Sequence, residues 1–217
     1  MTNATRLPAI SAYPMPAPAE LPQNRVDWEV DPDRAVLLVH DMQNHFVRAF
    51  TPDASPLTEL VSGIGALTRR FRELGMPVVY SAQPGGQSAE QRGLQLDMWG
   101  TGVGPDPGDS AIVDALAPQP GDVEMVKWRY NAFHRTELAD LLGVWGRDQI
   151  VITGIYAHIG CLMTAADAFM RDVHAFFVAD AVADFSREEH DTALRYAAGR
   201  CARVTTVDTL LSGLPRS

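Results

Sequence analysis

The sequence predicts an α/β domain, three layers deep (α/β/α), built on a mostly parallel six-stranded sheet. Short apolar, β-branched runs alternate with stretches whose apolar residues recur every three or four positions, the rhythm of strands joined by crossover helices. The chain has 217 residues, 46% of them hydrophobic, enough for one sizeable core. Polar and charged side chains also cluster where the apolar runs end, and ligand sites in parallel sheets lie at the carboxyl ends of strands.

Residues 1–34 hold six of the fifteen prolines, as in "YPMPAPAELP". Proline fixes φ and removes a donor, so this segment should be extended. Ile10, Tyr13, Met15, Leu21, Val26 and Trp28 make it apolar enough to lie as a strap over a domain spanning 35–217.

The first strand is "AVLLVHD" (Ala35–Asp41), a continuous apolar run suited to burial on both faces. A helix follows, with Ser55 as a candidate cap, Pro56 in the first turn and Gly75 at its end. Leu57, Leu60, Val61, Ile64, Leu67, Phe71 and Leu74 form its apolar face. "PVVYSAQ" (Pro77–Gln83) reads as the second strand and "EMVKW" (Glu124–Trp128) as the third. "TELADLLGVW" (Thr136–Trp145) reads as a helix and "QIVITG" (Gln149–Gly154) as the fourth strand. A helix over 160–173 leads to "AFFVAD" (Ala175–Asp180), the fifth strand. Ser186 and Glu189 have capping-box spacing for a helix reaching about Gly199, and "RVTTVD" (Arg203–Asp208) is the sixth strand. The order is that of a Rossmann-like, doubly wound fold.

Acidic residues outnumber basic ones by 27 to 18, a formal charge of −9, and no basic stripe is visible, so nucleic-acid binding is not expected. The two cysteines, Cys161 and Cys201, are too few for a disulfide scaffold and fit a reducing cytoplasm. No basic segment with an apolar core opens the chain and no run approaches ~20 apolar residues, so neither a signal peptide nor a membrane span is expected.

Asp41 ends the first strand, Gln83 ends the second, Lys127 lies in the third and Tyr156 follows the fourth. Parallel strands bring these ends together, which predicts one cleft lined by a carboxylate, an amide, an ammonium and a phenol. Taken singly, each has an ordinary structural use. An Asp after a strand caps or turns, Lys127 can be a solvated edge residue, and Gln83-Pro84-Gly85 reads as a turn. Arg92 and Trp99 can belong to a surface loop.

Several long motifs occur in order: "LLVHDMQNHFV", "SAQPGGQSAEQRG", "LDMWGTG", "KWRYNAFHRTEL", "GIYAHIGCLMTAADAFMRD" and "VADAVADFSREEH". Together with the proline-rich opening they resemble the isochorismatases over nearly the whole chain. The resemblance places Asp41 and Lys127 in the first two positions of the Asp-Lys-Cys triad used by many hydrolases of the wider group. In the amidases of that group the cysteine falls six residues after the glycine closing strand four. Counting from Gly154 reaches Gly160, not Cys161, and a one-residue shift on a helix turns a side chain by ~100°. Cys161 is therefore expected to pack rather than react. The amidases' metal ligands follow strand two, where this chain reads "SAQPGGQS", so no metal and no cofactor are expected.

What the resemblance implies is hydrolysis of an enolpyruvyl vinyl ether, which needs an acid and a water site but no nucleophilic side chain. Asp41 is the candidate general acid. Holding its proton near pH 7 means raising an ordinary pKa of ~3.9 by roughly three units, about 4 kcal/mol, which burial and a dianionic substrate would have to supply against the pull of Lys127. Lys127 is expected near the enolpyruvyl carboxylate, and Gln83 and Arg92 as carboxylate grips. Backbone N–H groups near Tyr156 and Gly160 are expected to add dipoles, with Phe46, Trp99, Tyr130 and Tyr156 walling the ring. The substrate the resemblance implies is isochorismate, with 2-amino-2-deoxyisochorismate as the alternative. Family members are commonly homo-oligomers, so a homo-oligomer is expected, and with no "DSL"-type attachment serine a stand-alone hydrolase without a carrier domain is expected. A cysteine amidase using Cys161 and a non-catalytic scaffold are the competing readings.

Overall fold

The computed structural model describes residues 7–215; residues 1–6 and 216–217, the outer ends of the two segments drawn from the sequence, lie outside the described residues. Its sheet has six parallel strands in the order β3-β2-β1-β4-β5-β6: β1 Ala35–His40, β2 Val78–Ala82, β3 Val123–Val126, β4 Gln149–Ile155, β5 His174–Ala183 and β6 Ala202–Thr205. The order reverses between β1 and β4, whose carboxyl ends define the crevice where doubly wound sheets hold their ligands.

The helices are α1 Asn44–Val47, α2 Leu57–Glu73, α3 Ala89–Arg92, α4 Gln95–Trp99, α5 Pro107–Ser110, α6 Leu138–Trp145, α7 Leu162–Met170, α8 Arg187–Arg200 and α9 Val207–Gly213. Every residue of β1 is buried, and its side chains alternate between two cores. Leu37 and Val39 pack with α2 residues Leu60, Ile64, Leu67 and Phe71 on one face. Val36 and Leu38 pack with Leu138, Leu142, Ala165 and Leu194 on the other. Burial on both faces is why the strand reads as an unbroken apolar run.

Two helix starts differ from the sequence expectation. Ser55 does not cap α2; its hydroxyl accepts the Met15 N–H (3.2 Å), and the helix begins after Pro56. Ser186 does cap α8 by accepting the Glu189 N–H, but the Glu189 carboxylate takes the Ser186 hydroxyl instead of reaching back to the backbone, so only half the box forms. The fifth strand runs three residues beyond Asp180, to Ala183, because a register shift between Ile152 and Gly154 lets its end re-pair with β4.

Residues 7–34 run over the domain with one short 3-10 turn, Pro18–Glu20. Ile10 bridges to Phe50, Asn24 exchanges two hydrogen bonds with Val204, and Trp28 stacks on His174 at 4.5 Å. Tyr13 is buried; its hydroxyl accepts the Asp184 N–H (2.8 Å) beside the cleft.

Candidate active site

A cavity of about 740 Å³ opens at the carboxyl ends of β1, β2 and β4, and all nine site residues named from the sequence line it. That volume suits a small organic ligand.

Asp41 sits one residue past β1 with φ +49°, a left-handed conformation that Asp tolerates better than most residues. Its side chain is almost fully buried and each oxygen is occupied. Oδ2 meets Lys127 Nζ at 2.8 Å and Gln83 Nε2 at 3.3 Å, and Oδ1 accepts the Ser81 hydroxyl at 2.8 Å. Burial, the largest influence, would raise the carboxyl pKa, but the Lys127 ammonium, His40 and the Ser81 bond outweigh it and hold Asp41 below its ordinary value. Lys127 follows β3 rather than lying within it. Its N–H continues the ladder to Ala82 O, and its ammonium donates to Arg129 O at 2.5 Å.

Gln83 is fixed on both sides. Gln43 donates to its carbonyl and accepts its N–H, each at 2.8 Å. The Gln83 side-chain oxygen accepts from Arg92 Nη1 at 3.1 Å. Arg92 is 4% exposed, so it is not a loop residue. Its Nε donates to Gly100 O, and Nη1 is shared with Gln95 Oε1. Among the described residues this guanidinium has no carboxylate partner, and burial lowers its pKa. A buried cation facing a cavity without a counter-ion is a place for an anion.

Tyr156 donates its hydroxyl to Phe46 O (3.1 Å) and lies against Phe185 with ring centres 4.2 Å apart. Burial raises its pKa, so the phenol stays neutral. Trp99 Nε1 donates to the Tyr130 hydroxyl at 2.5 Å, closing the wall opposite. The turn after β4 is a π-turn, Ala157–Cys161, not the start of a regular helix. Three of its N–H groups are already spent: His158 on Asp184 Oδ2, and Ile159 and Cys161 on Tyr156 O. That leaves less free backbone near Gly160 than the sequence suggested.

Cys161 does not reach the cavity. It is fully buried in the opposite core, with Sγ directed to Thr153 O at 4.0 Å, and burial pushes its thiol pKa well up. A thiol kept protonated and out of reach is no nucleophile.

Sequence reading missed four contributors. Ser81 and Gln43 are polar positions inside or beside apolar runs, a signal that was present in "VVYSAQ" and "HDMQ". His40 and Gln95 line the cavity itself, whereas Ser81 and Gln43 hold Asp41 and Gln83 from behind it. Outside it, His158, Asp184 and Glu189 bring ligand-type atoms within 4.8 Å of one another, but Asp184 already accepts the N–H groups of His158 and Phe185.

The fold and the cleft define a class: an α/β enzyme with an acid–ammonium pair at the switch point of its sheet and no thiol in reach. Comparison with known proteins narrows it. The family model described as Isochorismatase domain matches residues 35–209. An isochorismatase of Bacillus subtilis is 55% identical over 96% of this chain and 67% of its own length. The phenazine biosynthesis protein PhzD of Pseudomonas fluorescens is 49% identical over 95% of this chain and 99% of its own. A cysteine hydrolase from Pseudomonas syringae superposes with a TM-score of 0.79 at 24% identity, covering 88% of this chain and 96% of that one, a likeness of fold. The chain belongs to the isochorismatase family of hydrolases.

Proposed function

We propose that the cleft hydrolyses the enolpyruvyl ether of isochorismate to 2,3-dihydro-2,3-dihydroxybenzoate and pyruvate, with Asp41 as general acid and no covalent intermediate. The observation that carries this reading is Asp41 itself, a carboxyl group buried on the floor of a cavity whose lining offers no nucleophilic thiol. Substrate carboxylate charge, brought up to Lys127 and Arg92, neutralises the field that holds Asp41 ionised, so the carboxyl takes up a proton as the complex forms. That proton goes to the terminal methylene carbon of the vinyl ether, leaving an oxocarbenium ion. Water adds to the cation and returns a proton to the Asp41 carboxylate. The hemiketal then collapses: its hydroxyl loses a proton as the C=O of pyruvate forms, the C–O bond to the ring breaks, and the ring oxygen gains a proton and leaves as the alcohol. Arg92 grips one carboxylate, Lys127 the enolpyruvyl end, Gln83 orients both acid and guanidinium, and Phe46, Trp99, Tyr130 and Tyr156 exclude bulk water.

The relative named for phenazine biosynthesis supports a second substrate, 2-amino-2-deoxyisochorismate, whose ether the same acid would cleave. A homo-oligomer working in the cytoplasm belongs to the same reading; exposed Met163 and Met170 on α7 offer apolar surface for self-association, and no helix of the described residues is long and apolar enough to cross a membrane. Pyruvate release from each substrate by the wild type and Asp41→Ala tests the proposal. Release by the wild type and loss in the variant is expected; release from neither substrate overturns it.

A further inference from the structure

His40 is 1% exposed, ends β1 directly before Asp41, and is flanked by two glycines six residues apart. Gly154 pairs with it across the β1–β4 ladder, and a Cβ there would lie 2.7 Å from His40 N. Gly160 lies over its ring: a Cβ at that position would overlap Cε1 and lie 2.8 Å from Nε2 and 3.0 Å from Nδ1. The φ of Gly160 is not in the left-handed region, so the backbone makes no demand for glycine there. The three atoms nearest to a Cβ there all belong to the imidazole.

The ring also joins two walls of the cavity. Nδ1 lies 2.9 Å from Ile155 O, at the end of β4, and Nε2 lies 3.1 Å from Tyr130 O, in the loop after β3. The first wall continues into Tyr156 and Gly160; the second carries Lys127 and Tyr130. Asp41 Oδ1 is 3.8 Å from Nδ1. One side chain on β1 therefore touches the loop after β3 and the end of β4 and borders the proposed acid. Burial presses the ring toward neutrality, with the Asp41 charge opposing and Lys127 assisting, and a neutral imidazole donates to one of the two carbonyls.

We propose that His40 is a positioning residue of this cleft: its imidazole occupies the room a side chain at position 160 would need, and by donating to one of the carbonyls of Ile155 and Tyr130 while its other edge abuts the second it sets the spacing between the walls that carry Lys127 and Tyr156. The interlock is steric and needs no knowledge of the substrate. Its effect on turnover rests on the pyruvate-releasing reaction proposed above.

A thermal cycle with Gly160→Ala, His40→Ala and the double variant tests the interlock. Gly160→Ala alone is expected to lower Tm by roughly 3–10 °C through overpacking. In the His40→Ala background the same substitution should cost less than about 1 °C or raise Tm, because the space is vacant. An equal loss in both backgrounds overturns the interlock, whether or not pyruvate is ever released. The spanning role is read from kcat and KM of His40→Gln and His40→Leu. Leucine fills volume but cannot donate, whereas the glutamine amide can reach one carbonyl. His40→Leu should lose about tenfold or more in kcat with KM moved less than about threefold, and His40→Gln should recover part of the loss. Equal activity of the leucine variant and the wild type overturns it.

Discussion

Lys127 Nζ lies 2.8 Å from Asp41 Oδ2, and both side chains are nearly closed off from solvent. A buried pair of this kind is held by mutual need: removing one partner strands the other. Asp41→Asn keeps the shape of the side chain but has no acidic proton to give and leaves the ammonium uncompensated. We expect kcat for pyruvate release to fall by about 10²–10⁴-fold and stability to fall by about 3 kcal/mol, measured by a coupled pyruvate assay and by denaturant unfolding. Retention of wild-type turnover would remove Asp41 from the mechanism.

The same pair sets the pH dependence. In the free protein Asp41 is held below its ordinary value, so it is ionised at neutral pH. The proposed mechanism needs it protonated in the reacting complex. Because kcat/KM reports the free protein and kcat the complex, kcat/KM should fall about tenfold per pH unit through the neutral range, while kcat stays level until the higher pKa of the complex is passed. A kcat/KM that rises with pH would point to a base in place of an acid.

The architecture was readable because β1, β2 and β4 are mostly apolar and buried, so polar residues such as Ser81 and Thr153 are too few to set up an alternation. Asp41, Gln83 and Lys127 were readable as cleft residues because each falls at the carboxyl end of a strand, on the residue immediately after it. Arg92 and Trp99 lie on helices of four and five residues, too short to show periodicity, and drew attention through the family resemblance. The role of His40 was hidden because it depends on which residue lies above its ring, a fact of three dimensions. The π-turn at Ala157–Cys161 was equally hidden, since nothing in "AHIGC" distinguishes it from the first turn of an α-helix.

Arg92 holds three groups in place at once, with Nε on Gly100 and Nη1 on Gln83 and Gln95, and its side chain fills the space over Gly102. Lysine can supply the charge but not the planar fork. Arg92→Lys should raise KM for isochorismate about tenfold or more with a smaller change in kcat, measured under initial-rate conditions. A KM equal to that of the wild type would mean that no substrate carboxylate rests on this side chain.

Cys161 offers a test of the opposite sign. It is buried against Thr153 with its thiol pKa pushed up, and it does not line the cavity. Cys161→Ala should keep kcat within about twofold and cost about 1 kcal/mol of stability for the small void it leaves. The native protein should also resist alkylation by iodoacetamide at neutral pH, since only the thiolate reacts. Loss of turnover in Cys161→Ala, with the fold intact, would favour a thiol mechanism.

His158 and Asp184 give stability a second pH dependence, separate from Asp41. His158 Nδ1 lies 2.7 Å from Asp184 Oδ1, and that bond raises the histidine pKa above its ordinary value, with burial opposing. A group whose pKa is raised on folding stabilises the fold fully below its unfolded pKa of ~6.5 and loses that contribution as pH rises through the folded value. Unfolding free energy should therefore decline across the window above pH ~6.5, and His158→Gln should flatten this decline without touching the acid limb set by Asp41. Asp41 follows the reverse sign: its contribution is present above ~3.9 and disappears as pH falls through its lower folded value. Denaturant titrations of wild type, His158→Gln and Asp41→Asn at closely spaced pH values separate the two limbs. A His158→Gln curve parallel to that of the wild type above pH ~6.5 would show that the histidine does not change its proton affinity on folding.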